Sequence, residues 1–170
     1  MRKTIFWILY LGLTVLVGLA LFAEVTRSQV VVNGMGGGTI RWGASETIDL
    51  MQEAIDRGEP IILGEGHYTS AGAMPLYAVD HIPGSCIHPD ALFHFHEPQS
   101  LAAMLVMCAP LQGEERMSAV RSYSLWFRPE LREWYMETVV GDTPDCGFTT
   151  LTGADLARFG YPICEGEGEE

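Results

Sequence analysis

Two histidines near the middle of the chain are the first side chains whose spacing could do chemistry. His94 and His96 stand two residues apart in a stretch that favours a β-strand, so their side chains would lie on the same face. His88 and Glu97 are close enough in sequence to add ligands, and three histidines with an open position could bind zinc. The same spacing also arises by chance, and no second pair of ligands stands out elsewhere in the sequence.

Ser70 is the other side chain with possible chemistry, because it stands among small residues between a strand and a helix. A serine at the start of a helix usually serves only as an N-cap. Its hydroxyl becomes a nucleophile only when a neighbouring base takes its proton. A histidine such as His96, taken alone, is more often a buried, hydrogen-bonded residue than a base, so neither residue defines a site by itself.

The glycine-rich segment 34–38 follows a β-branched run and has the form of a strand that enters a glycine loop. Such a loop could hold phosphate. The sequence lacks the Lys-Ser/Thr ending of a phosphate-binding loop, and the G-x-G-x-x-G spacing is met only trivially. We therefore set a phosphate site aside.

The elements that must position these residues follow from hydrophobic periodicity. Segment 29–33 predicts a strand, a helix with Ser45 as a possible cap ends at Arg57 and Gly58, and segment 60–63 predicts a second strand. This order predicts an α/β fold with a parallel sheet. Further strands are expected at 86–87 and 91–96, and further helices at 71–80, 100–109, 114–124, 129–139 and 153–159.

Composition and charge restrict the partners. The chain has 22 acidic and 10 basic residues, a formal net charge of −12, and length for one modest domain. This strong negative charge argues against nucleic acid. Peptides or other proteins are the expected partners, and a homo-oligomer is possible.

The N-terminus has the pattern of a targeting segment. Arg2 and Lys3 precede an uncharged run that ends at Ala23, so residues 1–23 are expected to be a signal peptide or a transmembrane anchor. The remainder would lie outside the cytoplasm, periplasmic or anchored to the membrane, with a domain at 24–164 and an acidic disordered tail at 165–170.

Four cysteines, Cys86, Cys108, Cys146 and Cys164, lie in the part expected to be exported. An oxidising compartment permits disulfides, so at least one is predicted. Sequence alone does not choose among the pairings, although Cys146 with Cys164 is slightly favoured, and four free thiols are the alternative.

Several separated segments, in this order, resemble the peptidase subunit of the Clp protease and its relatives in the Clp/crotonase superfamily. Segment 36–40 (GGGTI), followed by Gly43, is similar to the family's glycine loop. Segment 66–72 (GHYTSAG) is similar to the turn that presents the family's serine, and segment 95–98 (FHEP) is similar to the strand end that carries its histidine. A weaker similarity begins at Asp142 and extends to residue 160. The resemblance covers about residues 29–161.

The resemblance implies a serine peptidase that needs no cofactor. Ser70 would be the nucleophile and His96 the base, with Asp142, or failing it Asp145, fixing the imidazole. The N–H of Ala71 would be one oxyanion donor and Gly37 or Gly38 the other.

Glu97 replaces the glutamine usual in the family, which would put a carboxylate beside His96 and could raise the pKa of the imidazole. Ser70 and His96 are expected to meet at the carboxyl edge of one sheet. The alternatives are an inactive Clp-type protein that binds peptides or a partner protein, and a metal-binding protein that uses His94 and His96.

Overall fold

Six strands follow one another along the chain as three successive pairs, and the two strands of each pair belong to different sheets. The structure is a computed structural model that describes residues 29–36, 44–99, 110–141 and 147–165. The strand pairs are β1 (Val30–Val32) with β2 (Met35–Gly36), β3 (Ile61–Leu63) with β4 (His67–Thr69), and β5 (Cys86–Ile87) with β6 (Leu92–Phe95). Helix α1 (Ala44–Arg57) follows the first pair, and α2 (Leu76–His81) follows the second.

The first strand of each pair joins one sheet and the second strand joins the other. The order β1-β3-β5 forms a parallel sheet, and β2-β4-β6 is continued by β7 (Thr149–Thr152), which runs antiparallel to β6. The bends between the paired strands lie close together. At Gly66, which has φ 156°, an added Cβ would lie 2.7 Å from the backbone nitrogen of Gly34, so these bends need glycine.

Helices α3 (Gly113–Ser124) and α4 (Pro129–Thr138) pack behind the second sheet, and α5 (Gly153–Leu156) follows β7. Burial alternates along β6, where Phe93 and Phe95 are buried while Leu92 and His94 are only half-buried. Phe95 meets Phe127 edge to face at 5.5 Å between ring centroids. The core therefore includes the inner face of this sheet and the helices, and it continues to Ile61, Leu63 and Ile87 of the first sheet.

Most predicted elements are confirmed, including the strands in 29–33, 60–63, 86–87 and 91–96 and the mixed α/β class. The expected helix at 71–80 is interrupted: a 3₁₀ turn (Ser70–Ala73) precedes Met74 and Pro75, and α2 follows them. The interruption lies at Pro75 because proline has no N–H to continue a helix. The single parallel sheet is corrected to two sheets, because residues 33–34, 64–66 and 88–91 bend each strand pair.

The structure contains a disulfide between Cys86 and Cys164, so the favoured pairing of Cys146 with Cys164 is wrong. The backbone explains the difference. Ile163 bridges in parallel to Ile87, and the N–H of Cys164 donates to the carbonyl of Ile87 at 2.9 Å, which brings Cys164 beside β5. Cys108 and Cys146 lie outside the described residues.

The predicted N-terminal segment 1–23, the helix at 100–109 and most of the tail also lie outside the described residues. Within the described ranges, no helix is long and apolar enough to cross a membrane.

Candidate active site

The carboxyl ends of three neighbouring parallel strands meet at one edge of the second sheet. Gly36 of β2 is in register with Thr69 of β4, and Thr69 is in register with His94 of β6. Ser70 is the residue after β4, and His96 is the residue after β6. Parallel α/β sheets place their sites at this edge, because the loops that leave it converge there.

Ser70 has an unusual backbone conformation. Its φ of 56° makes it the one described residue other than glycine with a positive φ. The left-handed region costs an L-residue roughly 1–2 kcal/mol, and such strain is concentrated at functional sites. The buried small residues Ala71, Gly72 and Ala73 continue from it as a 3₁₀ turn, which lets the chain reverse tightly after β4.

The ring of His96 is half-buried and has a defined tautomer. Its Nδ1 lies 2.6 Å from the carbonyl oxygen of Glu97, and because a carbonyl only accepts, Nδ1 carries the proton. Nε2 then keeps its lone pair. Burial lowers the pKa of His96, while the hydrogen bond to Glu97 opposes this shift, so the imidazole is neutral at pH 7.

Ser70 and His96 line the same cleft, which has a volume of about 390 Å³. Ala71, Met74, Pro98 and Trp126 give it mainly apolar walls, and none of its described lining residues is charged. Among the hydrogen bonds of the described residues, none joins the Ser70 hydroxyl to the His96 ring. The two side chains thus share a cleft without being bonded to each other.

The carboxylate of Glu97 does not lie beside the imidazole, contrary to the expectation from sequence. Glu97 is only 2 % exposed, and Arg116 binds it through two hydrogen bonds, Nε to Oε2 at 2.5 Å and Nη2 to Oε1 at 2.6 Å. Successive residues of an extended chain point to opposite faces, so the side chain of Glu97 leaves the face of His96. Only its backbone carbonyl contacts the ring.

Asp142, Asp145, Gly37 and Gly38 lie outside the described residues. Described residues on the two sides of segment 142–146 contact either His96 or Arg116, the residue that binds Glu97. The carbonyl of Gly141 accepts a hydrogen bond from Arg116 at 2.5 Å, and the ring of Phe148 meets His96 edge to face with 5.0 Å between centroids. The nitrogen expected to face Asp142 or Asp145 is bonded to the carbonyl of Glu97 instead.

The histidines of the metal hypothesis have other partners. His94 places Nε2 2.8 Å from Nδ1 of His67 and Nδ1 2.9 Å from the hydroxyl of Thr150. In His88, Nδ1 accepts from the N–H of Asp90 at 3.2 Å. Within the part of the chain that the structure describes, no three His, Cys, Asp or Glu side chains are placed to share a metal ion. The described residues therefore provide no metal centre.

Two tyrosines that sequence reasoning missed contact the candidate residues. The hydroxyl of Tyr123 donates to the carbonyl of Ser70 at 2.7 Å, and that of Tyr135 donates to the carbonyl of His96 at 3.0 Å. Their positions on α3 and α4 follow ordinary helical periodicity, so no local sequence signal marks them.

Comparison with known proteins adds no family to this geometry. No protein-family model matches the chain, and no curated protein matches it.

Proposed function

We propose that the chain is a serine hydrolase of Clp type that cleaves peptides outside the cytoplasm, with Ser70 as nucleophile and His96 as base, and with the backbone carbonyl of Glu97 in the role expected for Asp142. One observation carries the proposal: Ser70 and His96, which follow two adjacent parallel strands, line one uncharged cleft. Ser70 has a left-handed backbone conformation, and His96 is neutral. The resembling glycine segment begins beside them, because Gly36 is in register with Thr69.

The geometry of His96 suits general-base catalysis. Ser70 Oγ would attack the peptide carbonyl while its proton passes to Nε2 of His96, the nitrogen that carries no proton. The proton would then pass to the leaving amine as the C–N bond breaks, and water would release the acyl group by the same route. The bond from Nδ1–H to the carbonyl of Glu97 holds the tautomer that this requires.

The oxyanion would be bound by the N–H of Ala71, which lines the cleft, and by Gly37 or Gly38. Each such donor typically contributes about 10²–10³ in rate. The mainly apolar walls favour substrate groups without charge, because a charge buried there would lack a partner.

A module that binds peptides without cleaving them is the second candidate. It is favoured by the lack of a hydrogen bond between the Ser70 hydroxyl and the His96 ring among the described residues. An unliganded catalytic pair can also be loose, so reactivity decides between the two.

A fluorophosphonate probe tests the proposal on the purified full-length chain. It should form an adduct that peptide mass spectrometry places on Ser70. The adduct should vanish in Ser70→Ala, form at least about 100-fold more slowly in His96→Ala, and persist in Ser118→Ala, which changes an exposed serine on α3. A wild-type chain that does not react, or reacts at Ser122 in the same cleft, would refute the hydrolase and favour the binding module.

A further inference from the structure

The strand hydrogen bonds stop just before the two candidate catalytic residues. The pairing of β4 with β6 ends at Thr69 and His94, so Ser70 and His96 lie beyond the last paired residues. A residue beyond the ladder is held only by its own turn and side contacts. Some other part of the fold must therefore fix the distance across the cleft.

Two tyrosine hydroxyls hold the backbone at these two positions. Tyr123 donates to the carbonyl of Ser70 at 2.7 Å, and Tyr135 donates to the carbonyl of His96 at 3.0 Å.

The two tyrosines form one packed unit although they belong to different helices. Their ring centroids lie 5.7 Å apart, and Phe127 packs edge to face against both, at 5.0 Å from Tyr123 and 5.6 Å from Tyr135. Tyr135 is fully buried and Phe127 nearly so. Close-packed aromatic rings resist displacement, so the unit is a rigid spacer between two carbonyls.

The hydroxyls act as donors throughout the pH range in which a protein is active. Burial raises the pKa of Tyr123, and the neighbouring Tyr135 raises it further. Burial also raises the pKa of Tyr135, with a smaller contribution from Glu97 in the same direction. Both phenols therefore stay protonated, and neither hydrogen bond is lost by titration.

We propose that Tyr123 and Tyr135 are positioning residues that together set the separation and orientation of Ser70 and His96 across the cleft. The inference rests on the proposed hydrolase function for its kinetic consequence, but its geometric content does not depend on activity. Tyr123 also constrains the left-handed residue directly, because the carbonyl that it binds belongs to Ser70.

The test uses Tyr123→Phe and Tyr135→Phe in the full-length chain, each of which removes one oxygen and leaves no cavity. The matched control is Tyr161→Phe, because Tyr161 is also buried and its hydroxyl accepts from the N–H of Arg128 at 3.0 Å, outside the cleft. The measurement is the fluorophosphonate labelling rate as a function of probe concentration.

Each cleft variant should lower the maximal labelling rate constant by roughly tenfold, because small misplacements of reacting groups are costly. The probe concentration at half-saturation should stay within about twofold, because Tyr123, which lines the cleft, keeps its aromatic ring and Tyr135 is not among the lining residues. Tyr161→Phe should keep the wild-type rate constant. Unchanged rate constants in both Tyr123→Phe and Tyr135→Phe, or an equal loss in Tyr161→Phe, would overturn the positioning role. Neither result would contradict the proposed hydrolase function.

Crystal structures of the wild type and the three variants give a second readout that needs no activity. The distance from Ser70 Oγ to His96 Nε2 should change by about 0.5 Å or more in the cleft variants and stay constant in the control. If the wild-type chain does not react with the probe, the hydrolase proposal fails. The distance from Ser70 Oγ to His96 Nε2 then decides by itself whether Tyr123 and Tyr135 position the two residues. An unchanged distance would then refute the positioning role.

Discussion

His96 and Glu97 are neighbours in sequence that face opposite sides of the chain, yet the ring of His96 donates from Nδ1 to the backbone carbonyl of Glu97 over 2.6 Å. The carboxylate of Glu97 binds Arg116 instead. One residue thus fixes the tautomer of the candidate base through its backbone and joins the sheet to α3 through its side chain.

The pH dependence of labelling follows from the lowered pKa of His96. The base must be neutral to accept a proton, and burial lowers its pKa below the ordinary value of 6.5, so it stays neutral to a lower pH. The acid limb of the second-order labelling rate should therefore have its midpoint below pH 6.5. A midpoint at or above 6.5 would contradict a buried, neutral His96.

Glu97→Gln should destabilise the protein by about 3 kcal/mol, because it leaves the guanidinium of Arg116 in a largely buried position without its carboxylate. Glu53→Gln is the control, since it breaks an exposed i,i+4 ion pair with Arg57 that is worth at most about 0.5 kcal/mol. Chemical denaturation measures both free energies of unfolding. Equal losses would show that the buried pair has no special role.

Ser70→Gly and Ser70→Ala should both abolish labelling but differ in stability. Glycine adopts the φ of 56° without the penalty of roughly 1–2 kcal/mol that alanine keeps, although its unfolded chain is more flexible by about 0.5–1 kcal/mol. The free energy of unfolding should therefore be up to about 1.5 kcal/mol higher for Ser70→Gly. A clearly less stable glycine variant would argue against the left-handed backbone.

Cys86→Ser and Cys164→Ser should each destabilise the protein by about 2–5 kcal/mol, because the bond that they share closes a loop with a sequence separation of 78. The double variant should lose little more than either single one, since each substitution already breaks the bond. Non-reducing peptide mapping should recover Cys86 and Cys164 in one cross-linked species. A species that links Cys146 to Cys164 would contradict the structure.

Local sequence patterns were sufficient for most of the elements. The apolar runs at Val30–Val32 and Ile61–Leu63 and the amphipathic pattern of α1 are set by neighbours within a few residues, so hydrophobic periodicity reveals them. The strand that leads to His96 also follows from local pattern. The short strands β2, β4 and β7 were missed, because segments of two to four residues are too short to show a strand pattern without their partners.

The sequence by itself determined the mixed α/β class, most helices and strands, and the strand that leads to His96. Only the tertiary structure decided the second sheet, the partner of Cys164, the direction of the Glu97 side chain, and the contacts of Tyr123 and Tyr135 with Ser70 and His96. The reason is physical. Secondary structure depends on interactions within one or two turns, whereas these contacts join residues 19 to 78 positions apart, and only the packing of the whole chain brings them together.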